Sequence, residues 1–184
     1  MQKILILGPQ GSGKGTQAKI LADRLGVPAL SMGELLRSEV AKATEIGLQI
    51  QSLLERGILV SDEIALRVFK NRIEEEDANN GFVMDSYPRN IEQYEAANSF
   101  FIPDAVLLID VPREESLNRL VKRAEIEGRS DDTPEAIENR LKIYEDETMP
   151  IVKKYEELGI LKNINGVGTI DEVAARIATV LHLD

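Results

Sequence analysis

Residues 8–16, Gly8-Pro9-Gln10-Gly11-Ser12-Gly13-Lys14-Gly15-Thr16, follow the apolar run Ile4-Leu5-Ile6-Leu7 and precede a helical pattern that begins near Lys14. A buried strand, a glycine-rich turn and a helix in that order read as a phosphate-binding loop. Each residue type has a physical reason. Gly8, Gly11 and Gly13 remove side chains, so consecutive backbone N–H groups can face a polyphosphate. The helix adds its unpaired N–H groups and the positive end of its dipole. Lys14 adds a point charge where the outer phosphates would lie. The general pattern has Ser or Thr directly after the lysine; here Gly15 intervenes and Thr16 follows. An ordinary strand-to-helix turn with a solvated lysine would need none of this spacing.

Outward from the loop, strands and helices alternate. Apolar segments 2–7, 27–30, 82–85, 105–110 and 160–165 read as short buried strands. Between them lie helical patterns: 14–25 with Ala18, Ile20, Leu21 and Leu25 inward, two short helices over 31–56, 61–77, 90–100, 113–124, and 170–181 at the end. Thr133-Pro134 opens a long helix to about Leu158, with a bend expected at Pro150. This order predicts an α/β fold, a five-stranded parallel sheet with helices on both faces. Residues 31–60 are too polar and too short to hold a core of their own, and read as an insert on a larger body.

The 184 residues suit one domain, and 43% hydrophobic with 29% charged residues is ordinary for a globular chain. No apolar run approaches a membrane span, and no signal-peptide pattern opens the chain. Cysteine is absent, which excludes disulfides and thiolate metal sites and suits the cytoplasm. The single histidine, His182, lies near the C-terminus and reads as a surface residue. A net charge of −10 argues against a nucleic-acid-coating surface. A small polyanionic substrate is still allowed if the few cations converge on one cleft.

In parallel α/β sheets ligands sit beyond the carboxyl ends of the strands. The loop, Asp85, Arg89 and Asp110 all fall at such ends. Further candidate cations are Arg37, Arg119, Arg123, Arg129 and Arg140; taken alone, each is an ordinary solvated arginine. Together with Lys14, a cation-oriented acid and no catalytic His or Cys, they suit phosphoryl transfer, which needs positioning and charge neutralisation more than proton chemistry. An acceptor that is itself a phosphate monoester would be largely ionised at neutral pH and would need no general base.

Five stretches in the same order carry a resemblance to the adenylate kinase family in its short-lid form. They are GPQGSGKGTQ from Gly8, SMGELLR at 31–37, GILVSDE at 57–63, GFVMDSYPR at 81–89, and LNRLVKRAEIEGRSDD with ENRLKIYEDETMPIVKKYEE over 117–157. The family's GKGT accounts for Gly15. The resemblance implies a P-loop three-layer α/β/α core over 1–30, 61–121 and 133–184, a helical nucleoside-monophosphate-binding insert over 31–60, and a short lid over 122–132. It implies a reaction in which the γ-phosphoryl group of ATP passes reversibly to AMP, giving two ADP, by a cytoplasmic monomer.

Site roles follow from the same resemblance. Gly11, Ser12, Gly13, Lys14, Gly15 and Thr16 would hold the ATP phosphates, with Arg119, Arg123 and Gly168 also on ATP. Arg37 and Arg89 would clamp the AMP phosphate as planar forks, which lysine does not imitate. Leu59, Val60 and Gln93 would approach the AMP base, and Arg129 and Arg140 the transferring group. Mg²⁺ would lie near Thr16 and, through water, Asp85; no zinc site is expected. Met32 stands where Thr is usual near the AMP base, and Ser86 where Gly is usual near the AMP phosphate. A lost hydroxyl contact to the base would weaken AMP binding by ~1 kcal/mol. Pyrimidine monophosphate kinases of the UMP/CMP type tend to lack that Thr and to share an Asn at the place of Asn90, but usually lack Gln at the place of Gln93. Two alternatives to AMP phosphorylation therefore stay open: a UMP/CMP kinase, and an inactive nucleotide-binding protein of the same fold.

Overall fold

The computed structural model describes residues 2–127 and 133–183. Among them, β1 (Gln2–Leu7), β2 (Ala29–Ser31), β3 (Gly81–Asp85), β4 (Ala105–Asp110) and β5 (Leu161–Asn165) form one sheet in the order β2-β3-β1-β4-β5, every pair parallel. The α/β expectation is met. Helices α1 (Lys14–Leu25), α2 (Met32–Ala41), α3 (Glu45–Glu55), α4 (Asp62–Ile73), α5 (Ile91–Asn98), α6 (Arg113–Glu127), α7 (Pro134–Ile143), α8 (Met149–Glu157) and α9 (Ile170–Val180) surround it.

Alternation along the central strand builds the layers. Ile4 and Ile6 face one side with Val83, Leu107, Ile109 and Ile164, under Ala18 and Leu21 of α1 and Val173 and Ile177 of α9. Leu5 and Leu7 face the other with Met84, Phe82, Val106 and Leu108, under α4, α5 and α8. Such strands are apolar on both faces because both are covered. Phe69 of α4 is fully buried and packs against the rings of Phe82, Tyr87, Phe100 and Phe101; its loss to Ala would cost ~3–5 kcal/mol.

The 31–56 helices have no separate core. Met32, Leu36 and Ile50 join the Leu5–Leu7 cluster. Ser31, Thr44 and Ser61 cap α2, α3 and α4 with their hydroxyls, and Gly26 and Gly57 close the preceding turns at φ 66°.

Several boundaries differ from the sequence expectation. Ile20, expected inward in α1, lines the cleft instead, while Gln17 and Ala22 are buried and Leu25 packs half-buried against the core. α4 stops at Ile73, and Glu76–Ala78 is a separate 3₁₀ turn. α6 continues through Glu127, beyond the loop start expected at 125. The long helix is interrupted not at Pro150 but by a π-helical turn at Tyr144–Thr148. Pro150 sits in the first turn of α8, where its missing N–H is no loss.

Candidate active site

The turns after β1 and β3 meet α2, α6 and α7 at the carboxyl edge of the sheet, around a cleft of about 500 Å³. Gly13 caps α1 at φ 89°, so the first-turn N–H groups of α1, which have no intrahelical acceptor, begin at the loop. Gly11, at φ 80°, has a second reason to be glycine: a Cβ there would fall on the Ser116 carbonyl oxygen of α6. The tight seat of the loop on α6 was not legible from the loop's own sequence.

Lys14 is 7% exposed, and its Nζ donates to the Pro9 carbonyl at 2.9 Å. Burial lowers its pKa to about 8; Asp85 opposes that shift, while Arg89, Arg123 and Arg140 reinforce it. Arg89 is lowered to about 10, again mainly by burial, with Asp85 opposing and Arg140 and Arg37 adding to it. Five cations from the loop helix, α2, the β3 turn, α6 and α7 therefore converge around one carboxylate. Arg37, Arg89, Arg123 and Arg140 all line the cleft with Lys14. So concentrated a positive field in a chain of net charge −10 marks a polyanion site.

Asp85 ends β3 at 7% exposure. Ser86 Oγ donates to its Oδ1 at 2.7 Å, and Ser31 Oγ lies 3.4 Å from its Oδ2. Ser86 has φ 67°, a left-handed conformation that strains a residue with a Cβ by ~1–2 kcal/mol. The Tyr87–Pro88 bond after it is cis. Arg89 Nε donates to the Ser86 carbonyl at 2.8 Å, which aims the rest of the guanidinium.

Gly15 and Thr16 line the cleft beside Asp85, and a Cβ at Gly15 would stand 3.4 Å from Asp85 Oδ2. Glycine thus keeps the ground between loop and carboxylate clear. A threonine hydroxyl and one carboxylate fit Mg²⁺, which takes few protein oxygens and completes its shell with phosphate and water. Among the described residues no group of three or more His, Cys, Asp or Glu could hold a metal ion.

Other expected site residues sit differently from one another. Arg119 lines the cleft but also braces the loop: Nη1 donates to Ser12 O at 3.3 Å, Nη2 to Gly166 O at 3.1 Å and Nε to Glu115 at 2.7 Å. Leu59 lines a small second pocket that shares Lys14, Arg89 and Arg140 with the cleft. Met32 and Val60 are buried in the main core, at 3% and 6% exposure, while Ser31, Gly33 and Ile58 face the cleft. Gly168 follows β5 at φ 123°, where a Cβ would meet Glu172 Oε2. Arg129 and residues 128–132 of the expected lid lie outside the described residues.

Gln93 is 2% exposed. Its Oε1 accepts the backbone N–H of Arg89 at 2.8 Å, and its Nε2 donates to Asp62 Oδ1 at 3.0 Å. Asn90 Nδ2 donates to the same Asp62 oxygen at 2.9 Å. Asp62 was legible only as an acid opening a helix. Thr148, whose Oγ1 donates to Arg89 O at 2.7 Å, had no sequence signal, because the π-helical turn that places it was not expected.

Residues 6–160 match the sequence profile of the family described as Adenylate kinase. Among curated proteins, the adenylate kinase of Xanthomonas campestris pv. campestris strain 8004 is 44% identical over 184 residues, covering 97% of this chain and 98% of that one. The adenylate kinase of Bifidobacterium longum strain NCC 2705 is 42% identical, covering 99% of this chain and 100% of that one. The adenylate kinase of Xylella fastidiosa strain M23 is 42% identical with 97% and 98% coverage.

Proposed function

This chain belongs to the adenylate kinase family, and on that premise we propose that it transfers the γ-phosphoryl group of ATP to AMP, reversibly and with Mg²⁺, giving two ADP. The observation that carries the proposal is the convergence of Lys14, Arg37, Arg89, Arg123 and Arg140 on one cleft around Asp85.

In this reading the loop amides and Lys14 take the β- and γ-phosphates of ATP, with Arg119 holding the loop in shape. Arg37 and Arg89 hold the AMP phosphate, its oxygen in line with the γ-phosphorus. Arg123, Arg140 and Arg129 meet the charge on the transferring group. No side chain need accept a proton, since the attacking AMP phosphate is already ionised. Thr16 and Asp85 would hold Mg²⁺, which neutralises phosphate charge when bound with the nucleotide. Because Arg89 is held by the Ser86 carbonyl before the reaction, it stabilises negative charge there without reorganising. Leu59 and Gln93 form the acceptor-base side and Gly168 and its turn the donor-base side, while Met32 and Val60 pack in the core behind the acceptor side and the Ser86 hydroxyl is committed to Asp85. Residues 31–60 serve the acceptor and 122–132 the donor, each around a core of 1–30, 61–121 and 133–184.

Among the described residues no helix is long and apolar enough to cross a membrane. The absence of cysteine suits the cytoplasm, and the resemblance to the family supports a monomer acting in nucleotide homeostasis.

The test is initial rate with Mg-ATP against AMP, CMP, UMP, GMP and dAMP. AMP is expected to lead in kcat/KM by at least about tenfold, the factor that one net hydrogen bond to the base supplies. CMP or UMP in the lead would overturn the acceptor assignment, and no turnover with any acceptor would overturn the reaction.

A further inference from the structure

Ser86 stands where the family resemblance leads one to expect glycine, and its backbone shows why glycine would be easier: φ is 67°. A residue with a Cβ persists at such an angle when its side chain does something a hydrogen atom cannot. Here the hydroxyl donates to Asp85 Oδ1 at 2.7 Å, and both residues are buried. With its one proton on Asp85, the hydroxyl has none left for an acceptor phosphate.

We propose that Ser86 is a positioning residue: its hydroxyl locks the Asp85 carboxylate so that Oδ2 is turned toward Gly15 and Thr16, where the nucleotide's Mg²⁺ would be held. This rests on the adenylate kinase reading of the cleft.

The geometry around the pair supports the assignment. Among the described residues Oδ2 takes one long contact, from Ser31 Oγ at 3.4 Å, and it stands 3.4 Å from where a Gly15 Cβ would lie. The donor on Oδ1 is therefore the short hydrogen bond that fixes the plane of the carboxylate. The same residue also orients a cation, since the Ser86 carbonyl accepts Arg89 Nε at 2.8 Å. One strained residue thus ties the metal-side acid to the acceptor-side arginine. The two ties are separable, because only the first uses the side chain. Removing the hydroxyl should disturb the metal and spare the acceptor.

The experiment uses the full chain with Ser86→Gly and Ser86→Ala. Mn²⁺ replaces Mg²⁺, and its binding to the protein–ADP complex, beyond that to ADP alone, is read from the loss of the free Mn²⁺ electron paramagnetic resonance signal. Both variants are expected to bind Mn²⁺ roughly tenfold more weakly, the loss that goes with one hydrogen bond to a charged group. Their Mg²⁺ requirement for turnover should rise in parallel, with KM for AMP within about twofold of wild type. In ligand-free melting, Ser86→Gly should stand above Ser86→Ala, because both lose the hydroxyl and only glycine sheds the strain. Unchanged Mn²⁺ affinity in both variants would overturn the proposal, and so would a KM for AMP that rises with no change in metal affinity. Failure of the wild type to phosphorylate AMP would instead overturn the reading on which it rests, and the Mn²⁺ measurement distinguishes the two.

Discussion

Gln93 accepts the backbone N–H of Arg89 at 2.8 Å, so the residue expected to read the acceptor base is also the one that pins the turn carrying the acceptor-phosphate arginine. A backbone N–H only donates, which settles that the amide oxygen faces Arg89 and the amide nitrogen faces Asp62. One Nε2 proton and one lone pair are left for a base edge.

Gln93→Ala should therefore hurt twice. It orphans a part-buried N–H, worth ~1–3 kcal/mol of stability, and it removes the polar edge for the base. Gln93→Glu separates the effects. It keeps the acceptor for Arg89 but sets a second carboxylate against Asp62, near Glu92 and Glu147, whose own pKa is already raised by burial and by those acids. Its melting temperature should fall below wild type at pH 7, and the gap should narrow as pH falls and one carboxyl takes up a proton. A gap constant with pH would remove Asp62 from this role.

Arg89→Ala should leave folding nearly intact while lowering kcat/KM for AMP by roughly 10²–10³-fold, the scale for loss of one fixed charge-stabilising donor. The guanidinium sits near two like charges, Arg140 and Arg37, and burial already disfavours it. Its removal relieves that repulsion, so the variant should melt no lower than wild type. Arg89→Lys should recover little, because an ammonium cannot reach the Ser86 carbonyl and also present a planar fork. Turnover near wild type in Arg89→Ala would sink the site assignment.

Much of this was readable because it is local. Ile4-Leu5-Ile6-Leu7 is apolar on both faces, which already demands a covered central strand, and the loop after it carries its own chemistry in its glycines. The capping hydroxyls of Ser31, Thr44 and Ser61 mark helix starts wherever they fold. What was not readable is set by tertiary packing. Met32 follows a cap in a polar stretch, and nothing in that stretch says that its side chain turns away from the cleft into the sheet's core. The π-helical turn at Tyr144–Thr148 has no composition of its own; Pro150 suggested a break, but placed it a turn too late. Arg119 matches a ligand-binding arginine by position, and only the fold reveals that its nitrogens hold Ser12, Gly166 and Glu115.

Met32→Thr tests that packing directly. If the side chain faced the acceptor base, threonine would restore a hydroxyl there and improve KM for AMP. At 3% exposure among apolar side chains, it should do the opposite for the protein and little for the substrate. The smaller side chain leaves a void and buries a hydroxyl, for a loss of ~1–4 kcal/mol. Denaturant unfolding measures the first effect, and KM for AMP should change less than in Gln93→Ala. A tighter KM with unchanged stability would return Met32 to the base pocket.

Lys14 makes pH the most informative variable. Its folded pKa of about 8 lies below the 10.5 of an exposed lysine because burial disfavours the cation. Below pH 8 both folded and unfolded chains carry the proton, and the buried charge is a constant penalty. Between about 8 and 10.5 the unfolded chain holds the proton and the folded chain does not, so this residue makes stability rise with pH across that window. The unfolding free energy of wild type should climb there relative to Lys14→Met, which has no group to titrate. Nucleotide phosphates act in the opposite sense, favouring the charged lysine and raising its pKa. Binding of ATP at pH 8.5 should therefore draw a proton from solvent. Titration calorimetry in buffers of different ionisation enthalpy reads that uptake as a slope, present in wild type and absent in Lys14→Met. Equal slopes would mean that the lysine is already charged in the free protein and that its burial does not control its proton.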